Sequence, residues 1–146
     1  MFACIVWTGE TRSQLATATR QQAPREITAV LGGRIVGKTV HVERVVALPN
    51  QSMHNDAFVI EASQFARCEH DLRDAGLEFV GFAHSHPEGH AAPSQRDREQ
   101  LWTDCVQVIT NGEQVHAFVL DRDRVVHAVR QASQSMASVT TSGATQ

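Results

Sequence analysis

Apolar and polar positions along this chain sort into short extended runs and helical stripes, separated by glycine and proline. Residues 2–7, Phe-Ala-Cys-Ile-Val-Trp, form an apolar run that reads as a first strand. Thr11-x-x-Gln14 resembles a capping box and predicts a helix over Thr11–Gln22, ended by Pro24. Residues 27–33 read as a second strand broken by Gly32-Gly33, and Thr39–Leu48, rich in β-branched residues, as a third. An irregular stretch from Pro49 to Asp56 is expected next, then a short extended piece at Phe58-Val59-Ile60. Phe65, Cys68, Leu72 and Ala75 fall on one helical stripe, with Gly76 placed for a C-terminal cap. A helix over Gln95–Trp102 and strands at 105–110, 114–120 and 124–129 complete the pattern, with turns at Asn111-Gly112 and 121–123. Residues 131–146 are dominated by Ser, Thr, Ala and Gln and read as a polar, flexible tail behind one domain over 1–130. Strands interleaved with helices predict an α+β (α/β-like) fold, a mixed sheet flanked by helices.

One run departs from simple alternation. Glu78–His86 is apolar or small on both sides, as in a strand buried on both faces. Residues two apart on a strand share a face, so Val80, Phe82, His84 and His86 are expected on one side. The two imidazoles then lie about 7 Å apart at the Cα level and can converge on one ion. A loop with Pro87, Gly89 and Pro93 follows, and Ser94 and Asp97 open the next helix. Taken alone, Ser94-x-x-Asp97 is a helix cap with Asp in place of the usual Glu or Gln. Taken with the histidines, Asp97 supplies a third metal ligand. Two histidines and one carboxylate leave the fourth tetrahedral position to water, the pattern of a catalytic and not a structural zinc site.

The spacing His84-Ser85-His86-Pro87, then Ser94-Gln95-Arg96-Asp97, resembles the JAMM motif of the MPN/JAB-type metallopeptidases. That motif also carries a glutamate far upstream, after a proline and before a short apolar strand. Here Pro24-Arg25-Glu26 stands before Ile27–Gly33, although Thr28-Ala29 replaces the family's usual Cys-Gly. The resemblance covers roughly residues 1–130 and implies the MPN fold, related to that of the cytidine deaminases. It implies one Zn²⁺ held by His84, His86 and Asp97, with Glu26 as general acid/base and Ser94 hydrogen-bonding the water or the oxyanion. A glutamate suits proton transfer from a water whose pKa zinc has lowered towards 7. The resemblance further implies hydrolysis of a peptide or isopeptide bond at the C-terminal glycine of a ubiquitin-like or sulfur-carrier protein. The short loops suggest a compact prokaryotic-type member. Two alternatives remain open: a metal-free MPN scaffold, and a hydrolase of cell-wall or phage-tail peptides. Scaffold members tend to lose ligands that this chain keeps. His90 and Glu88, inside the loop, receive no role.

Composition narrows the remaining classes. The 146 residues are 42% hydrophobic and 20% charged, ordinary for a globular domain. A net charge of −3 and the absence of tyrosine argue against nucleic acid as the main partner. Cys4, Cys68 and Cys105 are scattered, with no C-x-x-C pair, and read as reduced thiols of a cytoplasmic protein. No apolar run approaches membrane-spanning length. No H-E-x-x-H and no P-C-x-x-C occurs, which excludes zincins and zinc deaminases. An amidohydrolase barrel also uses His-x-His but needs roughly 200 residues or more.

Overall fold

The computed structural model describes residues 1–49 and 60–134. The elements in chain order are β1 (Cys4–Thr8), α1 (Thr11–Gln22), β2 (Thr28–Val36), β3 (Thr39–Leu48), α2 (Ala62–Asp74), β4 (Glu78–Ser85), α3 (Gln95–Gln100), β5 (Val106–Thr110), β6 (Val115–Leu120), β7 (Val126–Ala128) and β8 (Arg130–Gln134). The strands form one mixed sheet in the order β7-β6-β5-β4-β2-β3-β1-β8. The expected α+β architecture is therefore what the chain adopts. The irregular stretch to Asp56 and most of the piece at 58–60 lie outside the described residues, as do residues 135–146.

Helix α1 buries a narrow stripe, Thr11, Leu15 and Thr19, against β1, β3 and β5. Its threonines are satisfied locally: Thr11 Oγ1 donates to the Thr8 carbonyl and Thr19 Oγ1 to the Leu15 carbonyl, both at 2.9 Å. The expected capping box is not formed. Glu10 occupies the N-cap without a side-chain bond, because the Thr11 hydroxyl turns back to β1 instead. Helix α2 covers the opposite face with Cys68 and Leu72 buried and Phe65 packed beside them. Gly76 ends it at φ +77°, with the Leu77 N–H reaching the Leu72 carbonyl at 2.8 Å. This is the left-handed closure that glycine supplies at low cost. Ala75, expected on the buried stripe, is the exposed C-cap.

Two irregularities redirect side chains. Gly32-Gly33 does not break β2. The strand runs on to Val36 past a register shift against β3. A Cβ at Gly33 would stand 1.7 Å from the His41 carbonyl oxygen, so only glycine fits that approach. In β4, Leu31 pairs with Gly81 but Gly32 pairs with Phe79, leaving Val80 as an extra residue. Val80 therefore joins the cluster around Ile5, Trp7, Leu15 and Ala83 on the α1 side. Phe79 and Phe82 pack with Val30, Cys68 and Leu72 on the α2 side. The expected shared face of Val80 and Phe82 is thus wrong, whereas Phe82 and His84 keep theirs.

The strand expected at 124–129 is the shorter β7, Val126–Ala128, and a further strand, β8, follows it at Arg130–Gln134. β7 pairs with β6 at one edge, and β8 pairs parallel to β1 at the other. Only Val129, buried in the core, separates them. The sheet must therefore curl until its edges nearly meet. β8 also extends into the segment expected as tail. The Trp7 indole donates to Gln131 Oε1, and Gln131 Nε2 donates to the Val115 carbonyl, both at 2.9 Å. Gln131 thereby stitches the two edges together.

Candidate metal centre

The site forms where β4 runs out and α3 begins. His84 is fully buried near the end of β4, flanked by Thr28 of β2 and Ile109 of β5. His86 lies just past the strand, but its N–H still bonds the Thr110 carbonyl at 2.8 Å, so it keeps the direction of β4. The loop then turns the chain back, and the six-residue helix α3 presents Asp97 to both rings. Asp97 Oδ1 is 3.1 Å from His84 Nε2, and Asp97 Oδ2 is 3.1 Å from His86 Nε2. The three donor atoms lie within 4.8 Å of one another.

This donor set fits a metal. Two atoms bound tetrahedrally at about 2.1 Å stand roughly 3.4 Å apart. The observed 3.1 Å separations are close to that. His86 and Asp97 are also held by backbone groups, which fixes the direction of their free lone pairs. His86 Nδ1 faces the His90 carbonyl at 3.1 Å, placing its proton there and leaving Nε2 to ligate. Asp97 Oδ2 accepts the Ser94 N–H at 2.9 Å, while Ser94 Oγ accepts the Asp97 N–H at 3.1 Å. The Ser94–Asp97 capping box is formed, as the spacing suggested, and the same Asp97 carboxylate belongs to the candidate metal group.

Electrostatics prepare the ligands. Burial of Asp97 works to raise its pKa, but hydrogen bonds from His84, His86 and the Ser94 backbone outweigh it, holding the carboxyl far below the ordinary range. Burial pushes the His84 imidazole down, so it favours the neutral form that ligates. His86 shifts up, chiefly through its hydrogen bond to Asp97.

Glu26 sits just before β2 and is only 7% exposed, with Oε1 3.9 Å from His86 Nε2. Its position is set by Ser85, the residue between the histidines, whose side chain turns to the other face. Ser85 Oγ accepts the Ile27 N–H at 2.7 Å, and the Ser85 N–H donates to the Ile27 carbonyl at 3.1 Å. Ser85 is fully buried. Nothing in the sequence marked it beyond its place between two histidines. The His90 carbonyl was equally illegible, because a backbone oxygen carries no residue identity. His90 itself contributes no ring atom to the ligand group.

Glu26, His86, Ser94 and Asp97 line a cleft of about 1210 Å³, whose wall also includes the apolar Phe65, Phe82, Leu101 and Trp102. Leu101 is buried, whereas Trp102 is 54% exposed at the cleft wall and stacks edge-on to Phe82 at 4.9 Å. Ser94 is exposed to the cleft, and its bond to Asp97 uses Oγ as acceptor, leaving the hydroxyl proton for another oxygen.

A family model described as prokaryotic homologs of the JAB domain matches residues 9–132. The chain belongs to this family. A relative from Thermus thermophilus, described as a probable TtuB-protein conjugate cleaving protease, is 32% identical over 123 residues, covering 82% of this chain and 76% of the relative. A desampylase from Haloferax volcanii is 33% identical over 91 residues, covering 59% of this chain and 62% of the relative. The solution structure of protein DSY2949 from Desulfitobacterium hafniense superimposes with a TM-score of 0.82 at 26% identity, over 90% of this chain and 93% of that one. A Salinibacter ruber protein shares the fold with a TM-score of 0.62 at 22% identity, over 84% and 86%. The match includes the whole segment from Glu26 to Asp97, so the JAB domain contains every candidate ligand. Among the described residues no helix is long and apolar enough to cross a membrane.

Proposed function

We propose that this JAB domain is a zinc-dependent isopeptidase that cleaves a peptide or isopeptide bond at the C-terminal glycine of a ubiquitin-like or sulfur-carrier protein. The carrying observation is the convergence of His84, His86 and Asp97 within 4.8 Å, beside a buried glutamate and at the head of an open cleft. The substrate class rests on the relatives described as a conjugate-cleaving protease and a desampylase.

In this reading His84, His86 and Asp97 hold the ion. Bound zinc supplies a Lewis acid and lowers the pKa of water towards 7. Glu26 takes the proton of the attacking water on its carboxylate and returns it to the leaving amine. Its burial keeps that carboxylate aimed and partly dehydrated. The Ser94 hydroxyl donates to the oxygen that gains charge as the carbonyl is attacked. The cleft holds the extended substrate tail across these groups.

The experiment is cleavage of a ubiquitin-like conjugate joined through a lysine isopeptide bond, with and without zinc. Turnover is expected with zinc and its loss with a chelator, restored by zinc. Iodoacetamide is expected to leave turnover unchanged. Burial raises the Cys68 thiol, and burial pushes Cys105 up to about 11, so neither forms a thiolate readily at neutral pH. Chelator-resistant cleavage, or its loss on alkylation, would refute the metallo-reading.

Ser85→Ala tests the positioning of Glu26. Losing the acceptor for the buried Ile27 N–H costs about 1–3 kcal/mol of stability. Displacement of the glutamate by about 1 Å costs up to roughly 100-fold in kcat. Zinc stoichiometry is expected to stay at one per chain, since no ligand is touched. Unchanged kcat would show that Ser85 serves the fold alone.

A further inference from the structure

We infer that Arg124, on the turn between β6 and β7, is a positioning residue for the metal ligand Asp97 and acts through the end of α3. This rests on the metal-site reading above. Helix α3 has six residues, too short to be stable by itself, and its last carbonyls have no partner within the helix. Arg124 supplies one from 26 residues away. Its Nη1 donates to the Arg98 carbonyl at 3.0 Å and to the Leu101 carbonyl at 2.8 Å. The Leu101 N–H in turn holds the Asp97 carbonyl at 3.0 Å. Arg98 and Leu101 thus connect the guanidinium to the residue that ligates. The capping box holds the other end of the helix. A cation at the C-terminal end also suits the helix dipole.

Arg124 is exposed, and its backbone is unusual for its type. It sits at φ +63°, in the left-handed region that glycine or asparagine would occupy with less strain. The turn does not need the arginine side chain. Asp121 Oδ1 accepts the N–H groups of Asp123 and Val125 at 2.9 and 3.0 Å. The Arg124 N–H bonds the Asp121 carbonyl at 2.8 Å, and His127 Nε2 meets Asp121 Oδ2 at 2.7 Å. A turn that would prefer glycine holds an arginine whose long side chain reaches the helix bearing Asp97. The strain is offset by what the guanidinium does at α3.

This separates positioning from simple stability. Arg124→Gly removes the guanidinium and relieves the backbone, so the melting temperature of the metal-free protein is expected to be unchanged or higher. Zinc affinity, measured by competition with a chromogenic chelator, is expected to fall about 10- to 100-fold, the range for groups that orient ligands. The visible spectrum of the cobalt-loaded variant is expected to change as Asp97 loosens. Arg124→Lys, which keeps a donor cation, is expected to recover part of the affinity. Wild-type zinc affinity in an Arg124→Gly protein overturns the inference alone. A wild-type protein that takes up no zinc overturns the metal reading and this inference together. Should Arg124→Gly lose its cooperative melt, Arg124→Lys against Arg124→Gln carries the test: tighter zinc in the lysine variant supports the inference, and equal affinities overturn it.

Discussion

Glu26→Gln is expected to abolish turnover while leaving one zinc per chain. The substitution keeps size and shape at a position only 7% exposed, so packing around β2 is retained. It removes the one property proton transfer needs, a carboxylate that alternately accepts and gives up a proton. General acid–base catalysis contributes about 10²- to 10⁴-fold, and the loss in kcat should fall in that range. Glu26 is no member of the His84, His86 and Asp97 donor group, so metal uptake should not follow activity down. A steady-state assay beside metal analysis of the same preparation separates the two. Retained kcat would remove Glu26 from the chemistry. Loss of both zinc and activity would instead make Glu26 a ligand or a structural support of the site.

The parts of this molecule that the sequence discloses share a physical cause. The candidate ligands are visible because their donors are side chains whose types and spacing are constrained: His-x-His at a strand end, Ser-x-x-Asp at a helix start. The strands around them are visible because glycine, proline and β-branched runs punctuate the chain. The face of Val80 was not visible, because a bulge depends on the pairing of β4 with β2 and not on β4 alone. The end of the sheet was missed for a related reason. Strand β8 lies at an edge and buries little, so Arg130–Gln134 shows no apolar alternation, and its place is fixed by β1 and by Gln131. The supports of the candidate metal ligands are hidden more deeply. They run through backbone groups: the His90 carbonyl faces His86, the Leu101 N–H donates to the Asp97 carbonyl, and the Leu101 carbonyl accepts from Arg124. Backbone oxygens belong to every residue, so only the folded chain reveals which ones matter. Asn111 shows the same: its amide donates to the Gly89 carbonyl at 3.1 Å, tying the β5–β6 turn to the loop that orients His86.

Asp97→Asn is expected to keep the fold and lose the metal. The carboxylate makes three contacts: Oδ1 to His84, and Oδ2 to both His86 and the Ser94 N–H. An amide can preserve only part of this. With its nitrogen in the Oδ2 place it would set donor against donor at Ser94. Its oxygen therefore takes that place, and its NH₂ group turns to His84, whose neutral ring can accept by carrying its proton on Nδ1. The helix cap survives in this arrangement, so the metal-free protein should melt close to wild type. The site does not survive, because two amide hydrogens now point where a cation belongs and one negative charge is gone. Partners one step removed from a metal already cost about 10- to 100-fold in affinity, and loss of a direct ligand should exceed the upper figure. Chelator competition measures it, and differential melting with and without zinc gives the second reading, since a bound ion stabilises the folded state by mass action. An Asp97→Asn protein that binds zinc as tightly as wild type would place the anionic ligand elsewhere, and the assignment of His84, His86 and Asp97 as one metal centre would fall.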